Sequence, residues 1–132
     1  RLNIRYYIKV MHATNRNHEF RKKLIGYAVK IIRLTKLLSK TPENLIVFSQ
    51  IIRSSTSIGG NYAESMFALT KPDFTHCLNI CKKETAETLH WLEVLLHLNP
   101  KFAKEIDQLK DEGESYLRIF ISSVKTAQKN TK

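Results

Sequence analysis

Each of the three prolines in this chain stands beside a residue suited to ending one helix or starting the next. Thr41 precedes Pro42 and Glu43: a hydroxyl able to cap, a proline where no N–H is needed, and an acid near the positive end of the helix dipole. Thr70, Pro72 and Asp73 repeat the signal, with Asp73 at the capping-box position, and Asn99 with Pro100 marks a third boundary. Between these marks the apolar residues recur at spacings of 3 and 4, the period of a helix with one buried face.

The spacing predicts helix A over about 18–39, with Asn17 as a cap and Phe20, Leu24, Tyr27, Ile31, Leu34 and Leu38 on its seam. Helix B over 42–68 places Leu45, Phe48, Ile52, Ser55, Gly59, Tyr62 and Met66 inward. Helix C over 71–98 uses Phe74, Leu78, Cys81, Thr85, Thr88, Leu92 and Leu95. Helix D over 100–128 uses Phe102, Ile106, Leu109, Gly113, Tyr116, Phe120 and Val124, and the tail after it frays. Four long helices joined by short loops must fold back on one another. The expected fold is therefore all-α, an up-down-up-down antiparallel four-helix bundle over residues 16–132.

Two segments depart from this regularity. Residues 1–15 carry Leu2, Ile4, Tyr6, Ile8 and Val10 in strand-like alternation, and a lone strand has nothing to pair with in a helical protein. They are expected to form an extended or disordered arm, with Met11 a candidate start of the functional chain. Helix B contains Gly59 and Gly60, each costing roughly 1 kcal/mol relative to Ala inside a helix. Close approach by another helix is the expected offset; a turn at Ser57–Asn61 is the competing reading.

Charge is strongly local. The first 40 residues hold eleven Lys and Arg against Glu19 alone, so the formal charge of +10 resides there and the remainder sums to zero. A one-signed field of this kind attracts nucleic acid, anionic lipid or an acidic protein face. Cys77 and Cys81 lie one helical turn apart, a poor geometry for a mutual disulfide, and are expected to be reduced core residues. With neither a bilayer-length apolar run nor a leader pattern, a cytoplasmic location without membrane attachment is expected.

The polar residues of helices B and C form one constellation. Arg53, Ser57, Asn61 and Glu64 recur at spacings of 4, 4 and 3, and in a B–C hairpin Arg53 faces Glu84 and Glu87. The expected role is a buried or half-buried structural layer that fixes helix register or a subunit contact; a catalytic acid/base pair is the alternative. Glu87 and His90 match one Glu-x-x-His element, but a di-metal bundle needs two, and His76 with the two cysteines makes an incomplete zinc set. No metal or cofactor is expected. Phosphate loops and nucleophile elbows are absent, and Tyr62 and Trp91 sit at core spacing.

The segments RSSTSIGGNYAES, TKPDF and KKETAETLHWLEVL, in that order, resemble the four-helix-bundle proteins encoded within intervening sequences of 23S rRNA genes. The match runs from about Arg16 to Phe120. It carries Arg53, Ser54, Thr56, Ser57, Asn61, Glu64, Lys83, Glu84, Glu87 and Trp91, and departs at Gly60, Tyr62 and His76. The resemblance implies a ring-shaped homopentamer without established enzymatic activity. It also implies kinship with the accessory variability proteins of diversity-generating retroelements, basic pentamers that bind nucleic acid and a reverse transcriptase. The expected function is thus a non-enzymatic homo-oligomer whose Lys22, Lys23, Lys30, Arg33, Lys36 and Lys40 contact the phosphates of RNA or another nucleic acid. The alternative is an adaptor oligomer that meets an acidic protein partner such as a reverse transcriptase.

Overall fold

A computed structural model describes residues 4–129, with side chains from residue 16 onward. Four α-helices follow in order: α1 (Ile4–Leu37), α2 (Pro42–Ser65), α3 (Lys71–Leu98) and α4 (Ala103–Lys129), the last preceded by a 3-10 turn, Pro100–Phe102. No strand occurs among the described residues. Both threonine caps act as the sequence implies: Thr41 Oγ1 accepts from the Asn44 N–H at 3.1 Å, and Thr70 Oγ1 accepts from the Asp73 N–H at 3.2 Å.

Cross-helix contacts set the topology. Tyr62 donates to Asn17, and Ser54 meets Thr88. Lys110 reaches Glu93, and Lys30 reaches Glu112. Each pair joins neighbours running in opposite directions. α1 and α3 each pack on α2 and α4 but not on each other, so the helices occupy the corners of a square in chain order. This is the up-down-up-down four-helix bundle.

The core follows most of the expected seams. Tyr27, Ile31, Ile51, Ile58, Leu92, Leu95, Ile106 and Phe120 are fully buried, joined by Cys81, Thr85 and Thr88. Two seam residues are corrected. Leu45 and Phe74 are exposed, and on α2 the buried face also takes in Asn44, Val47, Ile51 and Ile58, each one residue before the expected seam. α2 ends at Ser65, three residues short of the expectation, and 66–70 form the turn into α3.

The N-terminal expectation is also corrected. α1 is already helical at Ile4, so residues 4–15 are not an extended arm; residues 1–3 and 130–132 lie outside the described chain. No Gly or Pro interrupts the sequence between Ile4 and Gly26, and extending an existing helix by one residue costs far less than nucleating one. Local alternation therefore loses to propagation from the packed half of the helix.

α2 runs unbroken through Gly59 and Gly60 with no positive φ, which removes the turn reading. The expected close approach is only partly present. A Cβ at Gly59 would sit 3.6 Å from Leu24 Cβ, an ordinary contact, and one at Gly60 would meet nothing within 4 Å. Packing within the subunit requires neither glycine. Gly113 is different: a Cβ there would collide with the Tyr27 hydroxyl and come within 2.9 Å of Leu89 Cδ2.

Candidate functional site

The α2–α3 seam brings Arg53, Glu84 and Glu87 together as expected. The Arg53 guanidinium pairs with Glu84 Oε2 at 3.3 Å and with Glu87 Oε2, which also accepts from Trp91 Nε1 at 3.2 Å. Of the two expected depths, buried or half-buried, the cluster has the shallower. The Arg53 side chain is 48% exposed, against 20% for Glu84 and 35% for Glu87, so the cluster faces out of the groove rather than filling a layer. An arginine is long enough to lay its stem on the seam and keep its head in water. Ser57 donates to the Arg53 carbonyl, Asn61 to the Ser57 carbonyl, and Glu64 is exposed. The stripe thus closes on its own helix below Arg53.

The buried polar layer lies one residue inward. Ser54 and Thr88 hydroxyls meet at 2.8 Å with both residues fully buried, Thr85 donates to the Cys81 carbonyl at 2.7 Å, and Cys81 Sγ donates to the Ile58 carbonyl at 3.5 Å. Small hydroxyl residues at seam spacing were the sequence signal for it. A second buried pair escaped sequence reasoning. Asn44 and Asn99 exchange amide hydrogen bonds in both directions at 2.9 Å, and spare donors reach the Ser39 and Leu95 carbonyls. Asn99 reads only as a boundary residue and Asn44 as one polar residue of a first turn, and only the bundle brings the start of α2 against the end of α3.

The six basic residues of the expected interface are all exposed on α1 or just after it. They are not equivalent. Lys30 pairs with Glu112 of α4 at 2.9 Å, and Lys22 reaches Glu19 at 3.5 Å. Lys40 folds back to donate to the Thr35 carbonyl at 2.7 Å, with its ammonium 5.1 Å from the Phe48 ring centroid, and so caps the negative end of α1. Lys23, Arg33 and Lys36 make no ion pair. The neighbouring α4 has no net charge, but it gathers Glu105, Asp107, Asp111, Glu112 and Glu114 in its first half, so an acidic stretch lies beside the basic helix.

Other chemistry is quiet. Burial pushes the Cys81 thiol up to about 12 and raises that of Cys77, opposite to what a reactive thiolate needs. Both cysteines are free. Among the described residues no three His, Cys, Asp or Glu side chains converge as metal ligands, and His90 packs edge-on against Trp91 at 4.8 Å. A cavity of about 390 Å³ opens beside Met66, Phe74 and Leu78 on one wall and Ser122, Ser123 and Thr126 on the other. No described helix is long and apolar enough to cross a membrane.

Comparison with known proteins agrees with this architecture. A structure of a protein of unknown function from the S23 ribosomal protein family of Bacteroides thetaiotaomicron is 32% identical, with a TM-score of 0.73 over 80% of this chain and 97% of that one. No curated protein matches. The family model for the 23S rRNA-intervening sequence protein matches residues 16–122, the span that holds α2, α3, most of α1 and α4 and the Arg53 cluster. The chain therefore belongs to the 23S rRNA-intervening sequence protein family.

Proposed function

We propose that this protein is a non-enzymatic homo-oligomeric bundle that presents the outer face of α1 to RNA or another polyanion. The carrying observation is the concentration of positive charge on that helix, exposed and opposed on α1 only by Glu19. Lys23 and Arg33 supply the strongest phosphate contacts, because Lys22 and Lys30 are shared with carboxylates, Lys36 continues the apolar stripe of Ile25, Val29 and Ile32, and Lys40 serves its own helix end. The family resemblance supports a ring-shaped homopentamer, in which fivefold repetition would turn one basic helix into a ring of charge.

A second reading is an adaptor whose α1 meets an acidic protein. Ile25 and Val29 favour it, since these exposed apolar residues sit among the bases of α1 and suit a protein surface better than a phosphate backbone. Kinship with the accessory variability proteins of diversity-generating retroelements would make a reverse transcriptase such a partner.

The test is light scattering of the protein with and without a mixed-sequence RNA at low and at moderate salt. An oligomer that binds RNA with affinity falling steeply in salt supports the first reading. An oligomer indifferent to RNA at both salt concentrations sinks it and leaves the adaptor. A monomer indifferent to RNA overturns both.

A further inference from the structure

α1 and α2 leave between them an apolar groove of about 230 Å³, lined by Ile25, Val29, Ile32, Gly60 and Ala63 and reached by Arg21. Arg21, Ile25, Val29 and Ile32 line its α1 wall at spacings of 4, 4 and 3, and Lys36 follows one turn beyond on the same face, so a base stands at each end with apolar residues between. No acid lies on this wall. Gly60 forms part of the opposite wall, where a side chain would meet nothing in its own subunit, so its poor helix propensity has no offset within the fold.

A matching surface lies on the other side of the bundle. Asp107, Asp111 and Glu114 recur at spacings of 4 and 3 on the exposed flank of α4. Among the described residues none of them makes an ion pair, whereas Glu19, Glu84, Glu87, Glu93 and Glu112 all do. Asp107 and Glu114 act on Lys110 of the same helix only at longer range.

We infer that the groove between α1 and α2, edged by Arg21 and Lys36, is the docking surface for the acidic α4 flank, Asp107, Asp111 and Glu114, of a second copy of this chain. The occupant follows from charge: the groove offers two cations around an apolar floor, and the same chain carries the complementary acids on a different helix. Because the two surfaces differ, the contact is heterologous, and its repetition closes a ring when the rotation permits. The inference rests on the homo-oligomeric part of the proposed function and not on its polyanion part. Lys22, Lys23 and Arg33 stay outside the stated contact.

Light scattering of the full chain and three variants tests it. Gly60→Gln fits the subunit but fills the groove; its helical circular dichroism is expected to persist while its mass falls toward the 15.4 kDa of one chain. The triple reversal Asp107→Lys, Asp111→Lys, Glu114→Lys is expected to dissociate in the same way. Adding Arg21→Glu and Lys36→Glu to it restores the oligomer. An oligomeric wild type whose mass neither Gly60→Gln nor the triple reversal moves overturns this surface and leaves the oligomeric reading standing. Failure of the combined reversal to reassemble overturns the charge pairing. A monomeric wild type overturns this inference and the oligomeric reading together, while an intact oligomer that ignores RNA overturns only the polyanion reading. Should the triple reversal not fold, Gly60→Gln alone decides: dissociation supports the groove, and an unchanged mass overturns it.

Discussion

The Tyr27 hydroxyl fills the space in which a side chain at residue 113 would begin. Tyr27 is fully buried and donates to the Leu109 carbonyl at 2.9 Å, one turn before Gly113 on the same helix. The ring of Tyr116 packs edge-on at 5.3 Å, so the tyrosine has nowhere to retreat. Gly113→Ala should therefore destabilise the protein by about 1–3 kcal/mol despite its gain in helix propensity. Removing the hydroxyl as well, in Tyr27→Phe/Gly113→Ala, should recover part of that loss. Denaturant unfolding of the two single variants and the double variant measures the coupling; strictly additive effects would contradict it.

Were Glu84 and Glu87 fully buried, Arg53→Ala would strand two carboxylates and cost several kcal/mol. The half-exposed guanidinium lowers that figure. Water can solvate Glu84 and Glu87 once the partner is gone, so the expected cost is at most about 1 kcal/mol. A loss of several kcal/mol in urea unfolding would show that the cluster is buried by something else, such as a neighbouring subunit.

The Asn44–Asn99 pair should matter more. Asn44 is buried, and its loss leaves the Asn99 amide and the Ser39 carbonyl short of partners. Asn44→Ala is expected to cost about 1–3 kcal/mol, the penalty for stranding buried polar groups. A melting temperature equal to that of wild type would mean that the loop between α1 and α2 relaxes to admit water.

Lys40 separates stability from binding. Lys40→Gln removes a cap and a cation–π contact and should lower stability by roughly 0.5–1 kcal/mol with little change in RNA affinity. Lys23→Gln/Arg33→Gln should do the reverse. If both contact phosphates, the slope of log affinity against log salt falls by about 1.4 on single-stranded RNA. Equal effects of the two variants on binding would count against the assignment.

Alkaline pH should unfold the bundle. Burial raises Tyr27, Tyr116 and Cys81 above their ordinary values of 10.0, 10.0 and 9.0. The unfolded chain therefore loses these protons first and binds fewer of them than the native state. Stability is unaffected by these groups below about pH 9 and declines as pH rises from there through the folded-state values. Urea midpoints between pH 7 and 11 check the direction; a midpoint that rises above pH 9 would reverse it.

Helix number, order and caps were legible because they depend on residues near in sequence. A threonine hydroxyl three residues from an N–H, or a proline at the first turn, acts the same way whatever packs nearby, and Thr41 and Thr70 cap as read. Seam spacing likewise identified Tyr27, Ile31, Leu92 and Phe120 as core. Hairpin pairing brought Arg53 to Glu84 and Glu87, because antiparallel neighbours with a short loop have a register fixed by the turn. Depth and partnership belonged to the tertiary structure. Only three-dimensional packing decided that Arg53 points outward, that Ser54 and Thr88 form the buried layer, and that Asn44 meets Asn99 across the bundle. It also decided that Gly113, and not Gly59, is sterically required, since two glycines at seam spacing differ only in what another helix places opposite them. Spacing along a chain defines a direction around each helix, and burial depends on how closely another helix approaches from that direction.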